Sequence, residues 1–421
     1  MTGPGEPSVV ERYLRLGLEL GRHVDGLVDA YYGPAGLAAA VAAAPLEPPD
    51  RLAMAARRLL ADLDTGRELG DPTGDDPGPA SGADAGRRRW LRSQVVGLEM
   101  TARRLAGEPV TYADEVEACY GVRPVRADEG AVARAHRELD DELPGTGPLA
   151  ERLEAWRDAH VVPPDLVGRA IDALAEELRA RTAEMFGLPD GEHVAFELVH
   201  GQPWSGFNYY LGDLRSRVAV NTDLPVLSTG LAHLVAHEAY PGHHTEHTRK
   251  EAGLVRRRRW WEESIFLVGT PQCLLAEGLA DLGLEVVFGQ RPEQVVAPIL
   301  RPLGIRYDAA AIAALAGAFE VLGAVRQNAA FRLHEDGADP DEVIDEVARF
   351  GLVPRARAAK AVEFLTHPTW RAYVTCYVEG LPRCRAYVGG EPSRFERLLS
   401  EQLVPADLET APEAAPETAR P

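Results

Sequence analysis

A proline–glycine pair, Pro241-Gly242, sits inside the densest histidine cluster of the chain, and a regular helix cannot run through it undisturbed. Proline lacks the amide donor that a helix interior needs, and its ring collides with the preceding turn; glycine is the next poorest helix former. Around the pair lie His233, His237, His243, His244 and His247, five of the twelve histidines within fifteen residues. The stretch 227–239 before it carries a helical period and ends on His237-Glu238. The next histidine, His243, comes six residues after His237. On an unbroken helix six residues rise ~9 Å and turn the side chain away from the first face. The two imidazoles meet only if the helix breaks at 241–242.

Taking out Pro241-Gly242 in thought leaves His-Glu-Ala-Tyr-His. That is the spacing at which two histidines one turn apart hold a metal and the glutamate beside the first takes a proton from water. His243 is therefore the second candidate ligand. His244 is the alternative, since it shares the face of His237 if the helix runs on, although ~10 Å of rise is too long for one ion. A metal that activates water needs a third protein ligand and an open position. The stretch 275–281, Leu-Ala-Glu-Gly-Leu-Ala-Asp, offers Glu277 as that ligand, with Asp281 four residues on to orient a ligand histidine. Imidazole and carboxylate donors predict zinc, one ion per chain, with manganese or iron as alternatives. His233 and His247, each one turn from a candidate ligand, read as core or supporting residues.

The string His237-Glu238-x-x-Pro241-Gly242-His243 resembles the domain of unknown function 885 family, bacterial proteins grouped with zincin-like metallopeptidases. The likeness extends to 209–225, where Arg217-Val218-Ala219-Val220-Asn221 is similar to the family's strand before the metal helix. It also covers Glu277-Gly278-Leu279-Ala280, similar to the family's Glu-Gly-Trp-Ala with Leu279 in place of the tryptophan, and returns weakly over 367–380. Roughly the second half of the chain is covered. The resemblance implies a mostly helical zincin-like fold and peptidase-like hydrolysis without a defined substrate. By resemblance to the family's Ser-Tyr-Lys stretch, Tyr377 is the expected oxyanion donor. Tyr373 lies one turn before it and Arg371 nearby, with Arg371 a candidate substrate contact. Asn221 is another, because the strand 218–221 offers an edge to which an extended peptide adds. Arg326 reads as a structural ion pair in preference to a carboxylate clamp.

The rest of the sequence sets the frame. Apolar periodicity predicts helices over 8–65, an N-terminal helical region to 190 with a flexible loop at 70–86, and a long helix over 164–186. Strands are expected over 193–199 and 216–221, with a turn-rich aromatic stretch, 203–212, between them. Helices return from 228, completing a zincin-like catalytic region over 191–403, and the Pro/Ala/Glu-rich 404–421 reads as a disordered tail. The predicted class is thus mostly α, multi-helical, with a small β-sheet beside the metal-site helix. A formal charge of −20 argues against nucleic acid and anionic membrane as partners. Cys119, Cys273, Cys376 and Cys384 are far apart and form no Cys-x-x-Cys, so neither a thiolate zinc knuckle nor a disulfide framework is expected. No signal peptide and no stretch near ~20 apolar residues is evident, and a cytoplasmic location is expected.

These features predict a zinc-dependent hydrolase cleaving short peptides or amides, with Glu238 as general base. Two alternatives stay open: a hydrolase of a non-peptide amide, lactam or ester, and a non-catalytic helical metal-binding scaffold. Glu238 argues against the scaffold, because a structural site has no use for a base beside a ligand.

Overall fold

The computed structural model describes residues 7–71, 73, 83–202 and 204–409. Helices account for most of them, and five short strands form two small sheets. The strands are β1 (Val28–Tyr31), β2 (His193–Val199), β3 (Gly206–Gly212), β4 (Arg215–Asn221) and β5 (Ile265–Leu267). The larger sheet has the order β2-β4-β3, with β2 parallel and β3 antiparallel to β4. It lies beside the helix Ser228–Glu238 that carries His237, as the expected class requires. In β4, Val218, Ala219 and Val220 are all buried, as befits a strand paired on both edges.

The molecule is organised around the helix Pro271–Phe288, almost wholly buried, with proline at its start. It crosses the helix Val374–Val388 at backbone contact. A Cβ on Gly278 would lie 2.5 Å from the carbonyl carbon and oxygen of Gly380, so only glycine permits the crossing. The consequence is functional: the crossing brings the start of the second helix against Glu277.

Several elements differ from expectation. Residues 28–31, within a stretch read as helical, form β1. They pair antiparallel with β5, more than two hundred residues away, and a long-range partner leaves no local pattern. The aromatic stretch read as turns is largely strand β3; Pro203 lies outside the described residues. Of the loop expected at 70–86, residues 72 and 74–82 lie outside the described residues, and helix Ala83–Leu105 has begun by its end. Val404 and Pro405 are buried and Pro405–Glu409 is helical, so the expected tail is ordered at its start; 410–421 lie outside the described residues. Finally, consecutive helices Ala309–Gly323 and Val325–His334 make a 26-residue segment whose best window has mean hydropathy 1.6, enough to cross a membrane by length and composition. No stretch of this kind was expected from the sequence; alanine supplies much of its hydropathy. Leu315, Ala318, Leu322 and Val325 on this segment pack into a cluster with Val132, Leu139, Leu153 and Trp156.

Candidate metal centre

The helix Ser228–Glu238 ends at Ala239, whose φ of −122° and ψ of −81° leave helical space. The Tyr240–Pro241 peptide is cis. The Gly242 amide donates back to the Ala236 carbonyl at 2.9 Å, and a new helix runs over His243–Lys250. Thr245 secures the return, its amide and hydroxyl both donating to the Ala239 carbonyl at 3.2 and 3.0 Å. A Cβ on Gly242 would stand 1.9 Å from the His237 carbonyl oxygen, so the turn closes only on glycine. Pro241 in turn packs on Gly283, where a Cβ would lie 3.0 Å from its ring. The broken helix is thereby seated on the helix that carries Glu277.

The break brings the candidate ligands together. Nε2 of His237 lies 3.1 Å from Nε2 of His243. Glu277 Oε2 is 3.3 Å from His237 Nε2, and Glu277 Oε1 is 3.5 Å from His243 Nε2. Donors each ~2.0–2.1 Å from one ion at tetrahedral angles lie roughly 3.3 Å apart, so the three separations suit a single ion. Glu277 Oε2 is also buried without a hydrogen-bond partner among the described residues, an orphan that a cation would satisfy. Asp281 Oδ1 lies 2.9 Å from His237 Nδ1, which directs the ring's other nitrogen to the centre, and 3.3 Å from Nε2 of exposed His233. Tyr373 donates its hydroxyl to Glu277 Oε1 at 2.6 Å.

The charges are mutually adjusted. Burial works against charge on both imidazoles, but Asp281 and Glu277 beside His237, and Glu277 beside His243, more than offset it and raise both above the usual histidine range. Burial likewise opposes charge on Glu277, yet the two histidines facing it hold its carboxyl at about 2. A divalent cation bound among these groups would displace protons held by the imidazoles. Glu238 is buried next to these groups, and burial raises its carboxyl above the ordinary range despite the histidines. Its Oε1 would lie 3.1 Å from a Cβ on Gly206 of β3, and Asn208 of the same strand donates to its main-chain carbonyl at 2.5 Å. Gly206→Ala should shift the Glu238 carboxylate by a few tenths of an ångström. We expect activity to fall by about tenfold with metal content unchanged; equal activity, measured beside metal analysis, would show that Gly206 does not set the position of Glu238.

Five expectations are corrected. His244 is no alternative ligand: it is fully buried, with Nδ1 2.8 Å from Ser216 Oγ and Nε2 2.8 Å from Glu192 Oε2. Tyr240 donates to the same Glu192 oxygen at 2.7 Å, so His244 and Tyr240 tie the turn to the sheet. Asn221 does not face a substrate, because its Nδ2 donates to the carbonyls of Gln202 and Trp204 at 2.9 and 3.0 Å. Nor is the strand 218–221 an edge: β4 is central, and the edge strand next to Glu238 is β3. Arg371 pairs with buried Glu115 at 3.1 Å, a contact within the core. Arg326, by contrast, forms no ion pair among the described residues and is exposed, its guanidinium 5.6 Å from the centre of the Tyr377 ring. Tyr377 packs on Tyr373 at 5.6 Å between centroids, and its hydroxyl bonds no described residue. His247 stacks on Tyr210 at 4.7 Å as a core residue.

One acidic residue whose charge is coupled to these groups was not anticipated from the sequence. Asp29 of β1 is half-buried and lies close enough to His243, Glu277 and Glu238 for their charges to act on it. Burial pushes its carboxyl up to about 7, with His243 opposing and the two glutamates reinforcing the rise. No local pattern marks it.

No family model and no curated protein matches the chain. Its fold is similar to the crystal structure of a Colwellia psychrerythraea protein, a lipoprotein by its description, with a TM-score of 0.52 and 16% identity over 85% of this chain. The chain spans 65% of that protein's length. The M32 carboxypeptidase from Deinococcus radiodurans R1 is more distant, with a TM-score of 0.37 and 13% identity over 95% of this chain and 92% of the other, too weak a likeness to carry a conclusion.

Proposed function

We propose that the chain is a metal-dependent hydrolase of the zincin type that cleaves amide bonds of short peptides, in keeping with its resemblance to the domain of unknown function 885 family. The observation that carries this reading is the convergence of His237, His243 and Glu277, donors from three helices at one ion's spacing, with Glu238 buried beside them. Zinc suits the two imidazoles and one carboxylate. A bound ion would supply a Lewis acid that polarises the substrate carbonyl and acidifies water. The protein's own groups do the rest. Glu238 takes the proton from the attacking water and delivers it to the departing amine, a shuttle favoured by its raised affinity for protons. Asp281 fixes the ring of His237, and Tyr373 fixes Glu277. Tyr377, its hydroxyl unclaimed by any described residue, is the donor for the oxyanion.

Metal analysis of the purified chain should find about one equivalent of a transition metal, and hydrolysis of short peptides should stop on chelation and return when the metal is restored. A protein that binds no such metal, or that hydrolyses undiminished after chelation, would overturn the reading.

A further inference from the structure

We propose that Arg326 clamps the carboxylate at the end of the substrate, so that the centre releases carboxy-terminal residues from short peptides. This rests on the hydrolase reading above and adds the cleavage end.

A chain of contacts ties Arg326 to the metal centre. Its guanidinium lies 5.6 Å from the centre of the Tyr377 ring, and that ring packs on Tyr373 at 5.6 Å between centroids. The Tyr373 hydroxyl reaches Glu277 Oε1 at 2.6 Å, and Glu277 faces both candidate histidines. The two tyrosines therefore form a wall between the guanidinium and the ligands. A cavity shows which side of the molecule Arg326 occupies. It measures about 300 Å³ and is lined by Trp156, by Thr229 and Gly230 of the helix Ser228–Glu238, and by Ile312, Ala316 and Phe319. The last three recur at helical spacing, and the same spacing carried through Gly323 arrives at Arg326. Ala324, between the two helices, keeps a right-handed helical backbone, so the stripe passes the junction. Opposite it, Gly230, His233 and His237 recur in the same way on the ligand helix. The two stripes meet at the cavity and again, through the tyrosines, at the metal centre, so both run the same way along one cleft. At ~1.5 Å of rise per residue, His237 lies ~10 Å beyond Gly230 and Arg326 ~15 Å beyond Ala316. The candidate ligands thus fall between the cavity and the guanidinium.

The chemistry follows from what Arg326 lacks. Its neighbours are engaged: Arg332 on the same helix pairs with Glu346 and Asp336, and Arg385 takes Glu320 of the preceding helix. Arg326 is exposed and forms no hydrogen bond or ion pair among the described residues. Its fork matches a carboxylate in two parallel bonds, and an aromatic neighbour orients the fork without using its donors. In a peptide the terminal carboxyl carbon follows the last amide carbonyl by one residue, ~3.5 Å. A carbonyl held at the Tyr377 hydroxyl therefore leaves its terminal carboxylate within reach of a guanidinium beside the same ring. Hydrolysis there joins the water oxygen to the carbonyl carbon, breaks the C–N bond and passes a proton to the amine of the departing last residue.

The test compares two probes by calorimetry on the zinc-loaded full chain: an N-acetylated phosphinic dipeptide analogue ending in a free carboxylate, and the same compound as its carboxamide. Wild-type protein should bind the carboxylate probe roughly 10- to 100-fold more tightly, the scale of one charge-assisted pair. Arg326→Met should erase that preference and leave affinity for the carboxamide unchanged. Arg326→Lys, which keeps the charge and loses the fork, should retain part of it. If Arg326→Met instead weakened both probes equally, Arg326 would act through the position of Tyr377 and the clamp would be refuted. Wild-type protein that takes up zinc yet shows no preference for the carboxylate probe refutes the clamp and spares the metal centre. Protein that takes up no zinc refutes the hydrolase reading and the clamp together.

Discussion

Glu238→Gln is expected to lower the rate of peptide hydrolysis by about 10²- to 10⁴-fold while leaving the bound metal in place. Glutamine keeps the shape and the buried position of Glu238 but cannot accept a proton. The donors that converge at the centre are His237, His243 and Glu277, so metal content should stay near one equivalent. The same substitution should change the pH profile. Burial raises the Glu238 carboxyl above its ordinary range, so the base becomes available only as pH climbs through that raised value. The acidic limb of kcat/KM in the wild type should therefore lie above the ~4.3 of a free glutamate, and Glu238→Gln should lack it. Full activity in the variant would remove Glu238 from the mechanism. Loss of metal would make it a ligand instead of a base.

The parts of this centre that were readable in sequence share one property: their geometry is set within a few residues. Pro241-Gly242 announces a helix break, and the break alone decides whether His237 and His243 can meet. Glu277 and Asp281, four apart on one helix, keep a fixed relation that needs no tertiary knowledge. Where the partner comes from elsewhere, the reading fails. Arg371 looked free until Glu115 of another helix was placed beside it, and Asn221 until the carbonyls of Gln202 and Trp204 folded over it. Arg326 failed in the opposite sense, since the ion pair expected of it is absent among the described residues. Between the two tyrosines, helix spacing could not tell which one bonds Glu277 and which has a hydroxyl unclaimed among the described residues. Asp29 is the extreme case, placed by a bulge that exists only because β1 finds β5 across most of the chain. The three-stranded sheet shows the same divide. Branched residues mark β2 and β4, but only the pairing shows that β4 is central and that β3 borders Glu238.

Gly242→Ala is expected to destabilise the fold by roughly 3 kcal/mol or more and to weaken metal binding at least about tenfold, a larger effect than overpacking usually has. The obstacle is space: the added Cβ would stand 1.9 Å from the His237 oxygen and 2.5 Å from the Ala236 oxygen. Both are main-chain atoms in the last turn of the ligand helix, and neither can swing aside as a side-chain tip would. Relief requires the turn to open, which would sacrifice the bond from the Gly242 amide to Ala236 and carry His243 away from His237. Loss of stability and loss of metal affinity should therefore appear together in urea unfolding and zinc titration. Gly230→Ala, in the same helix, provides the contrast. Nothing lies within 4 Å of its added Cβ, and alanine suits a helix better, so that variant should match or exceed wild-type stability by up to ~1 kcal/mol. If Gly242→Ala behaved like Gly230→Ala, the His237 carbonyl could not be where the turn places it, and the meeting of His237 with His243 would lose its structural cause.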